Sequence, residues 1–476
     1  MTTFKLIRKV LAVAVLSMVV AMPVDAKKAK APESPKYVFY LIGDGMGINH
    51  VRGTEIYNQA MGSGPETINF FHFPVRTFVT THSATSLVTD SAAAGTALAT
   101  GVKIKNNAMG VDLNENPVSN LTEWAHFKGY GCGVASSVGV NHATPAAFYA
   151  HTPSRNDYEK IAMQLIDADN VDFAAGGSIL NEQRKTGHDS QYLEQLVKAS
   201  GKITVLRGKD QFGNLASQSG RVLCLSGNPQ DEDLPLAVNR KEGDTKLADF
   251  VQAGIDYLFG HFAKKGFFFM IEGGSIDHAA HNDDAVGDFQ EVNDLAEAID
   301  VILAFYELHP EETLIVVTAD HETGGLMLGA GQYEMHPDRL AAVNCDENEL
   351  AARFKTLSAD GKTPTWDEVK AFFTENLGLW GSVRVDPRTE ASFKEMYDRQ
   401  FGQHQDDQVV TLYSSNTRIV SEAIDDVNKQ AGYRLAVGSH SGSPVGLYAK
   451  GVAAQRFMEC TDNTDIPKMI KEVAKY

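Results

Sequence analysis

The segment KYVFYLIGDGMG, residues 36–47, decides the fold class of this chain. Its apolar residues form a continuous run instead of alternating with polar ones, which predicts a strand buried on both faces. Such strands are typical of parallel sheets covered by helices. Asp44 follows the strand directly between two glycines, and glycine lets the backbone approach a bound ion or ligand closely. The segment therefore predicts a buried strand that delivers a carboxylate at its carboxyl end.

Four more runs have strand character, the last of them more weakly: GCGVASSV (131–138), GFFFMIEG (266–273), TLIVVTAD (313–320) and YRLAVGSH (433–440). Helical patterns fall between the runs, at residues 91–100, 156–169 and 283–308. Alternation of buried strands with helices indicates an α/β fold. We predict a three-layer α/β/α sandwich with a central, mostly parallel sheet.

One long stretch, residues 329–432, interrupts this alternation. It is polar and charged, and its pattern is mostly helical, as in CDENELAARFKTL and TWDEVKAFFTENL. We predict a largely helical insertion or cap on a catalytic domain that spans residues 36–476. The alternative is that these are connecting helices with no separate role.

Composition limits the function classes. The chain has 476 residues, a formal charge of −18, 43% hydrophobic and 22% charged residues. These are globular values, so they exclude wholesale disorder and coiled coil. The acidic excess argues against a nucleic-acid-binding surface. It is compatible with a small anionic substrate, because bound metal ions make a site locally positive.

The N-terminus has the layout of a secretory signal peptide over residues 1–26. A basic start precedes an apolar run at 10–22, which is too short to span a bilayer, and a small-residue cleavage site ends at Ala26. We predict export to the periplasm or medium, a mature chain without a membrane span, and a flexible tether at 27–35.

Export permits disulfides, and three full pairings are open to the four cysteines, Cys132, Cys224, Cys345 and Cys460.

The strand ends carry metal-ligand residue types. Four predicted strands end at Asp44, Glu272, Asp320-His321 and His440. Ligands of open α/β sheets bind at the carboxyl ends of the strands. Carboxylates combined with imidazoles suit zinc, magnesium and similar divalent ions. The sequence therefore predicts a metal site at this edge.

A second cluster follows Glu272. Asp277 and His281 are spaced i, i+4, so a helical turn places both on one face, whereas His278 points elsewhere. A solvated helix face is the alternative for such a pair. Its position five residues after a strand-end carboxylate favours metal binding.

Ser91 opens a helix of small residues. Asp90 is predicted to cap that helix, and a hydroxyl in the first turn faces free N–H groups that favour an anion. A helix cap with no further role is the alternative. No histidine stands beside Ser91 in the sequence, so a metal would have to activate it as a nucleophile. The guanidinium of Arg155 matches two phosphate oxygens, although an isolated arginine is more often a surface residue.

Several common motifs are absent. GDGMGI (43–48) lacks the third glycine of a dinucleotide loop, and the chain has no G-x-x-x-x-G-K-[ST]. No G-x-S-x-G surrounds Ser91, which disfavours an ordinary serine esterase.

The chain resembles the alkaline phosphatases of bacteria and animals. Six stretches match that family in its order: LIGDGMG (41–47), VTDSAAAGTALATGVKIKNNAMGVD (88–112), HATPAAFYAHTPSR (142–155), IEGGSIDHAAH (271–281), VTADHETGG (317–325) and GSHSG (438–442). The resemblance implies hydrolysis of a broad range of small phosphate monoesters at alkaline pH through a covalent phosphoserine. It also implies a homodimer.

The resemblance further implies a role for each matching residue. Ser91 is expected to be the nucleophile, Arg155 the phosphate clamp, and Asp90 the residue that orients Arg155. The expected metal sites are a first zinc held by Asp277, His281 and His440, a second held by Asp44, Asp320 and His321, and a magnesium held by Asp44, Thr144 and Glu272 with His142 beside it.

Two positions vary within the family, and this chain has the animal-like residue at both. His142 stands where some bacterial members have Asp, and imidazole is a poorer magnesium ligand than carboxylate. The third ion is therefore magnesium, or zinc or cobalt in its place. His278 stands where some members have Lys, and it either steadies the phosphate through water or supports a neighbouring ligand.

Two alternatives remain at this point. A phosphodiesterase or sulfatase of the same superfamily would need other residues, and Ser91 is followed by three alanines instead of the sulfatase C/S-x-P-x-R pattern. A non-catalytic binding protein of the same fold would lack a ligand or the nucleophile, and none is missing from this sequence.

Overall fold

Strand β1 (Tyr37–Gly43) lies near the middle of a nine-stranded sheet, in the order β2, β15, β8, β1, β7, β3, β4, β6, β5. The computed structural model describes residues 34–181, 190–329, 333–402 and 407–476. The other eight strands of the sheet are β2 (Val75–Val79), β3 (Gly131–Ser136), β4 (Phe173–Gly176), β5 (Ile203–Arg207), β6 (Arg221–Leu225), β7 (Phe267–Gly273), β8 (Thr313–Ala319) and β15 (Val445–Gly451).

The central strands are parallel and in register at their carboxyl ends. Every residue of β1, β7 and β8 is buried, as the continuous apolar runs predict. Gly43 at the end of β1 pairs with Gly273 of β7 and Ala319 of β8. The residues at and just beyond these strand ends therefore meet at one edge of the sheet. The predicted α/β class with a mostly parallel sheet is confirmed.

The last predicted strand is wrong. YRLAVGSH (433–440) does not enter the main sheet. Its ends form two short strands, β13 (Tyr433–Arg434) and β14 (His440–Ser441), which pair with β10 (Met327–Leu328) and β9 (Glu322–Thr323). The residues between them are largely exposed, so the run lacks the two-sided burial that an inner strand needs. The strand that follows it, β15, is antiparallel to β8 and β2.

Helices cover this sheet, and the three predicted helical patterns are confirmed with small shifts at their ends. They are α2 (Ser91–Thr100), α5 (Tyr158–Asp167) and α9 (Ala285–Leu308). The other described helices outside the predicted insertion are α1 (Ile48–Met61), α3 (Leu121–Phe127), α4 (Ala143–Ala146), α6 (Ser190–Ser200), α7 (Leu247–Phe262), α8 (Ser275–His281) and α14 (Asp465–Ala474).

The region of the predicted insertion is largely helical where it is described. It contains α10 (Glu347–Thr356), α11 (Trp366–Leu377), α12 (Pro387–Gln400), α13 (Arg418–Ala431) and a short hairpin of β11 (Gln408–Val410) and β12 (Ser415–Thr417). Its apolar side chains pack into a second core, separate from the core around the main sheet. The domain boundaries 329–432 stay a prediction.

The predicted signal peptide and most of the predicted tether lie outside the described residues. Among the described residues, no helix has the length and apolar content to cross a membrane. All four cysteines are free and buried.

Candidate metal and phosphate site

Three buried carboxylates meet at the carboxyl ends of the central strands. Asp44 follows β1, Glu272 is the penultimate residue of β7, and Asp320 follows β8, and none of the three is exposed to solvent. Backbone N–H groups of Gly45 and His321 donate to Asp320 Oδ1 at 3.1 and 2.8 Å. Burying three carboxylates together is costly unless cations compensate them.

The predicted ligand residues form three groups, and within each group the ligand atoms lie within 4.8 Å of one another. The first set is Asp277, His281 and His440, the second set is Asp44, Asp320 and His321, and the third set is Asp44, His142 and Glu272. Asp44 belongs to two of them, so the second and third sets are adjacent and share one carboxylate.

In the first set, two imidazoles face each other through their Nε2 atoms. His281 Nδ1 donates to the carbonyl of Gly438 at 3.0 Å, and His440 Nδ1 donates to the carbonyl of Thr89 at 2.9 Å. Because a carbonyl only accepts, each neutral ring carries its proton on Nδ1 and a lone pair on Nε2. The two Nε2 atoms lie 3.1 Å apart beside Asp277. Two facing lone pairs next to a carboxylate fit a bound cation.

The second set has carboxylate oxygens without hydrogen-bond donors. Asp44 Oδ1 and Asp320 Oδ2 are buried and unpaired among the described residues. They lie 3.4 and 3.3 Å from His321 Nε2. Burial, followed by mutual repulsion among the carboxylates, raises the pKa of Asp44 and of Asp320 well above the usual range. A divalent cation here would keep both ionised, so the donor set fits a metal.

The tautomer of His321 follows from its neighbour Thr323. The Thr323 hydroxyl donates to Asp277 Oδ1 at 2.5 Å, and its oxygen lies 3.2 Å from His321 Nδ1. Because the hydroxyl proton is donated to the Asp277 carboxylate, Thr323 Oγ1 can only accept from His321. His321 Nδ1 therefore carries a proton and donates it to Thr323 Oγ1. His321 Nε2 then carries a lone pair, and burial, together with the charge of His440, lowers the pKa of His321 well below its usual value.

The third set mixes carboxylates with an imidazole. Ser136 donates to Glu272 Oε2, while Glu272 Oε1 is buried and has no hydrogen-bond donor of normal geometry among the described residues. Burial raises the pKa of Glu272 to about 7. The Thr144 hydroxyl lies 3.5 Å from Asp44 Oδ2 and so faces the same space. Burial and the charge of Arg155 lower the pKa of His142 well below its usual value, so this imidazole is neutral.

Ser91 opens helix α2 beside the second set. Its Oγ lies 3.2 Å from His321 Nε2, and the side chain is buried. Asp90 caps the helix as predicted, since its Oδ1 accepts from the N–H of Ala93 at 3.0 Å. A hydroxyl at this position faces the free N–H groups of the first helical turn and the ligand atoms of the second set.

Asp90 also contacts Arg155. Its Oδ2 lies 3.5 Å from Arg155 Nη1 and accepts from the N–H of Asn107 at 2.9 Å. The other guanidinium nitrogen, Nη2, donates to His142 Nε2 at 3.1 Å. The structure therefore brings Ser91, Asp90 and Arg155 to one place, next to the second and third sets.

His278 lies at the rim of the first set. Its Nδ1 is 3.4 Å from Asp233 Oδ2, and its ring lies against that of Tyr413 with centroids 3.8 Å apart. The Tyr413 hydroxyl donates to Asp277 Oδ2 at 3.2 Å.

Sequence reasoning missed Asp233, Thr323 and Tyr413. Thr323 stands three residues after the predicted ligand Asp320, so the motif itself carried a signal for it. Asp233 and Tyr413 lie in loops far from any motif, and the sequence around them carries no such signal.

Comparison with known proteins gives a consistent result. The family model described as alkaline phosphatase matches residues 35–476. Alkaline phosphatase 4 of Bacillus subtilis is 29% identical over 466 residues, which cover 95% of this chain and 92% of that protein. Alkaline phosphatase 3 of the same organism is 30% identical over 460 residues, covering 94% and 91%.

The solved structures agree. The crystal structure of a cold-active alkaline phosphatase from the psychrophile Shewanella sp. matches this fold with a TM-score of 0.74. The two chains are 28% identical, and the match covers 92% of this chain and 99% of the other.

Proposed function

The chain belongs to the alkaline phosphatase family, and from this premise we propose that it hydrolyses phosphate monoesters at alkaline pH through a covalent phosphoserine on Ser91. The family is one of metal-dependent phosphomonoester hydrolases, and this chain is an enzyme of that kind. The observation that carries the proposal is the position of the Ser91 hydroxyl. It lies 3.2 Å from His321 Nε2, at the start of α2 and near carboxylate oxygens that have no hydrogen-bond donor in the described part of the chain.

The donor sets suit three ions. We propose that the first and second sets each hold zinc, because they combine imidazoles with carboxylates. We propose that the third set, with Thr144, holds magnesium, or zinc or cobalt in its place, because it is richer in oxygen. When bound, the ions would lower the pKa of the Ser91 hydroxyl and offset negative charge on the reacting oxygens.

The residues of the chain then perform the transfer. Ser91 Oγ attacks phosphorus, so a Ser91–phosphorus bond forms while the bond to the alcohol breaks and the alcohol leaves with a proton. Water attacks the phosphoserine next, which releases inorganic phosphate and restores the hydroxyl. The Arg155 guanidinium binds two non-bridging oxygens and offsets their charge throughout.

Asp90 supports this arrangement from two directions. It caps α2 through the N–H of Ala93, and it faces Arg155 with its other oxygen. We propose that one carboxylate thereby sets the distance between the nucleophile and the phosphate clamp. We propose that His278 either steadies the phosphate through water or supports a neighbouring ligand.

The wider predictions are also part of the proposal. The substrates are small phosphate monoesters of broad range, and no nucleic-acid-binding surface is expected from the acidic charge. Export after removal of residues 1–26 and a homodimeric state are proposed from the sequence and the family.

The test is a paired assay on purified mature protein. Hydrolysis of p-nitrophenyl phosphate is measured from pH 7 to 11 together with bound metal, on wild type and Ser91→Ala. We expect alkaline activity, two zinc ions per chain and a loss of about a thousandfold or more in Ser91→Ala. Ser217→Ala is the control, because Ser217 is exposed and its hydroxyl donates to the nearby carbonyl of Asn214.

Other substrates distinguish the alternatives. If metal is bound but monoester turnover is absent, the proposal fails, and diesters and sulfate esters are assayed next. If those also fail while inorganic phosphate still binds, the non-catalytic binding function gains support.

A further inference from the structure

We propose that Tyr413, which lies in the predicted insertion, is a positioning residue that fixes the Asp277 carboxylate for metal binding at the first set. The proposal rests on the proposed function, because it concerns the zinc ion that the first set would hold. Tyr413 lies 136 residues from Asp277 in the chain. It belongs to none of the matching stretches.

The two oxygens of Asp277 each accept a hydrogen bond from a different hydroxyl. Thr323 donates to Oδ1 at 2.5 Å, and Tyr413 donates to Oδ2 at 3.2 Å. The same carboxylate lies close to two imidazoles. His281 Nε2 is 3.4 Å from Oδ2, and His440 Nε2 is 3.6 Å from Oδ1. With one hydroxyl on each oxygen, the carboxylate cannot rotate without breaking a bond, and lone pairs remain directed at the imidazoles.

The Tyr413 ring also contacts the two neighbouring imidazoles. Its centroid is 3.8 Å from that of His278, with 36° between the planes. The same ring meets His281 at 5.3 Å and 69°, close to edge-on. One aromatic side chain therefore contacts three polar side chains of helix α8, namely Asp277, His278 and His281.

The segment that carries Tyr413 is itself anchored to the end of that helix. Tyr413 lies in the turn between β11 and β12, and the Thr411 hydroxyl in the same turn donates to Asn282 Oδ1 at 2.7 Å. The N–H groups of Tyr413 and Ser414 donate in turn to Thr411 Oγ1, at 3.2 and 2.9 Å. These hydrogen bonds connect the turn to the residue that follows α8 and so reduce the entropic cost of placing the Tyr413 hydroxyl against Asp277.

Through Tyr413, the hairpin of β11 and β12 would therefore affect metal affinity at the first set. Partners that orient a metal ligand change metal affinity by about 10-fold to 100-fold when they are removed. Tyr413→Phe keeps the ring contacts and removes only the hydroxyl. We expect one zinc ion per chain to leave this variant about tenfold faster than wild type.

The experiment measures zinc release from the zinc-loaded, full-length mature protein into excess 4-(2-pyridylazo)resorcinol, by absorbance. Zinc from the first set and zinc from the second set should leave in separate phases. Tyr413→Phe should speed one of these phases and leave the other unchanged. Its hydrolysis rate at low zinc should fall and return toward wild type when zinc is added. A purely structural role would not produce this rescue. Tyr397→Phe is the matched control, because its hydroxyl donates to the carbonyl of Pro364 within the insertion.

Two results would overturn the inference. One is wild-type zinc release from Tyr413→Phe, and the other is equal acceleration in Tyr397→Phe, which would indicate general loosening of the insertion. Asp277→Asn separates this failure from failure of the proposed function. If Asp277→Asn keeps both zinc ions, the metal assignment of the first set is wrong. If it loses one while Tyr413→Phe behaves as wild type, only the role of Tyr413 is wrong.

Discussion

Arg155 Nη2 donates a hydrogen bond to His142 Nε2 at 3.1 Å. The residue proposed to clamp phosphate is therefore bonded directly to a residue of the third set. Since Nε2 accepts, the neutral His142 ring carries its proton on Nδ1, which is buried and unpaired among the described residues. A ring nitrogen that accepts from a guanidinium is not free to bind an ion. Occupancy of the third set and the position of Arg155 are therefore coupled through this one imidazole.

Replacement of His142 by Asp tests that coupling. A third carboxylate beside Asp44 and Glu272 gives the set the oxygen ligands that magnesium prefers, so magnesium should bind about tenfold more tightly. Calorimetric titration of magnesium into the zinc-loaded protein measures this. His142→Asn is the control, because it removes the imidazole without adding charge. Equal magnesium affinity in wild type and His142→Asp would exclude the third set as a magnesium site.

Arg155→Lys tests the phosphate clamp. Lysine keeps the positive charge but lacks the planar fork that binds two oxygens at once. We expect the inhibition constant of inorganic phosphate to rise about 10-fold to 100-fold, the cost of losing one or two charge-assisted hydrogen bonds. Arg456→Lys serves as the control, because Arg456 pairs with Glu459 and Glu472 on the surface. Unchanged phosphate inhibition in Arg155→Lys would remove Arg155 from the phosphate site.

Gly45→Ala tests how closely the turn after β1 approaches Asp277 and Thr323. Gly45 has φ +71°, and a Cβ atom there would lie 2.9 Å from both Asp277 Oδ1 and Thr323 Oγ1. Gly62 has φ +61° with nothing within 4 Å, so Gly62→Ala carries the backbone strain alone. Both variants should lose about 1 kcal/mol of stability from the left-handed conformation, but only Gly45→Ala should also lose zinc. Thermal unfolding and metal analysis measure the two effects, and full zinc content in Gly45→Ala would contradict the described approach.

His50→Gln tests a buried charge network behind the site. His50 is fully buried, with Nδ1 2.7 Å from Asp288 Oδ1 and Nε2 3.2 Å from Glu322 Oε1. Burial by itself lowers the pKa of His50, but the two carboxylates outweigh it and raise the pKa to about 10. Because the folded pKa lies above the unfolded value of 6.5, the stabilisation is fully present below pH 6.5 and is lost as pH rises through about 10.

Urea unfolding of wild type and His50→Gln at pH 6 and at pH 10.5 measures this contribution. We expect His50→Gln to lower the free energy of unfolding by about 3 to 5 kcal/mol at pH 6, with a smaller difference at the higher pH. His72→Gln should cost less than about 1 kcal/mol, because His72 is half exposed where it pairs with Glu55. A difference between wild type and His50→Gln that is independent of pH would contradict a charged His50.

The sequence predicts the part of this site that follows from strand register and helix periodicity. Asp44, Glu272 and Asp320 meet because parallel strands that start together also end together. Asp277 and His281 share a face because both lie on one helical turn of α8. These relationships are local or periodic, so they are readable without coordinates.

The rest depends on contacts between distant loops. His440 was predicted at the end of an inner strand, yet it stands in the two-residue strand β14 beside Thr323 of β9. Tyr413 reaches Asp277 only because a hairpin of the insertion region turns toward α8. Such placements are set by tertiary packing of irregular segments, which leaves no periodic pattern in the sequence.

The phosphoryl group is proposed to pass through Ser91, and trapping the phosphoenzyme tests this step. The zinc-loaded protein is mixed with a radiolabelled phosphate monoester, quenched in acid within milliseconds to seconds, digested and mapped by mass spectrometry. We expect label on the peptide that contains Ser91, and we expect neither label nor substantial turnover in Ser91→Ala. Turnover without label on Ser91, or wild-type turnover in Ser91→Ala, would contradict it.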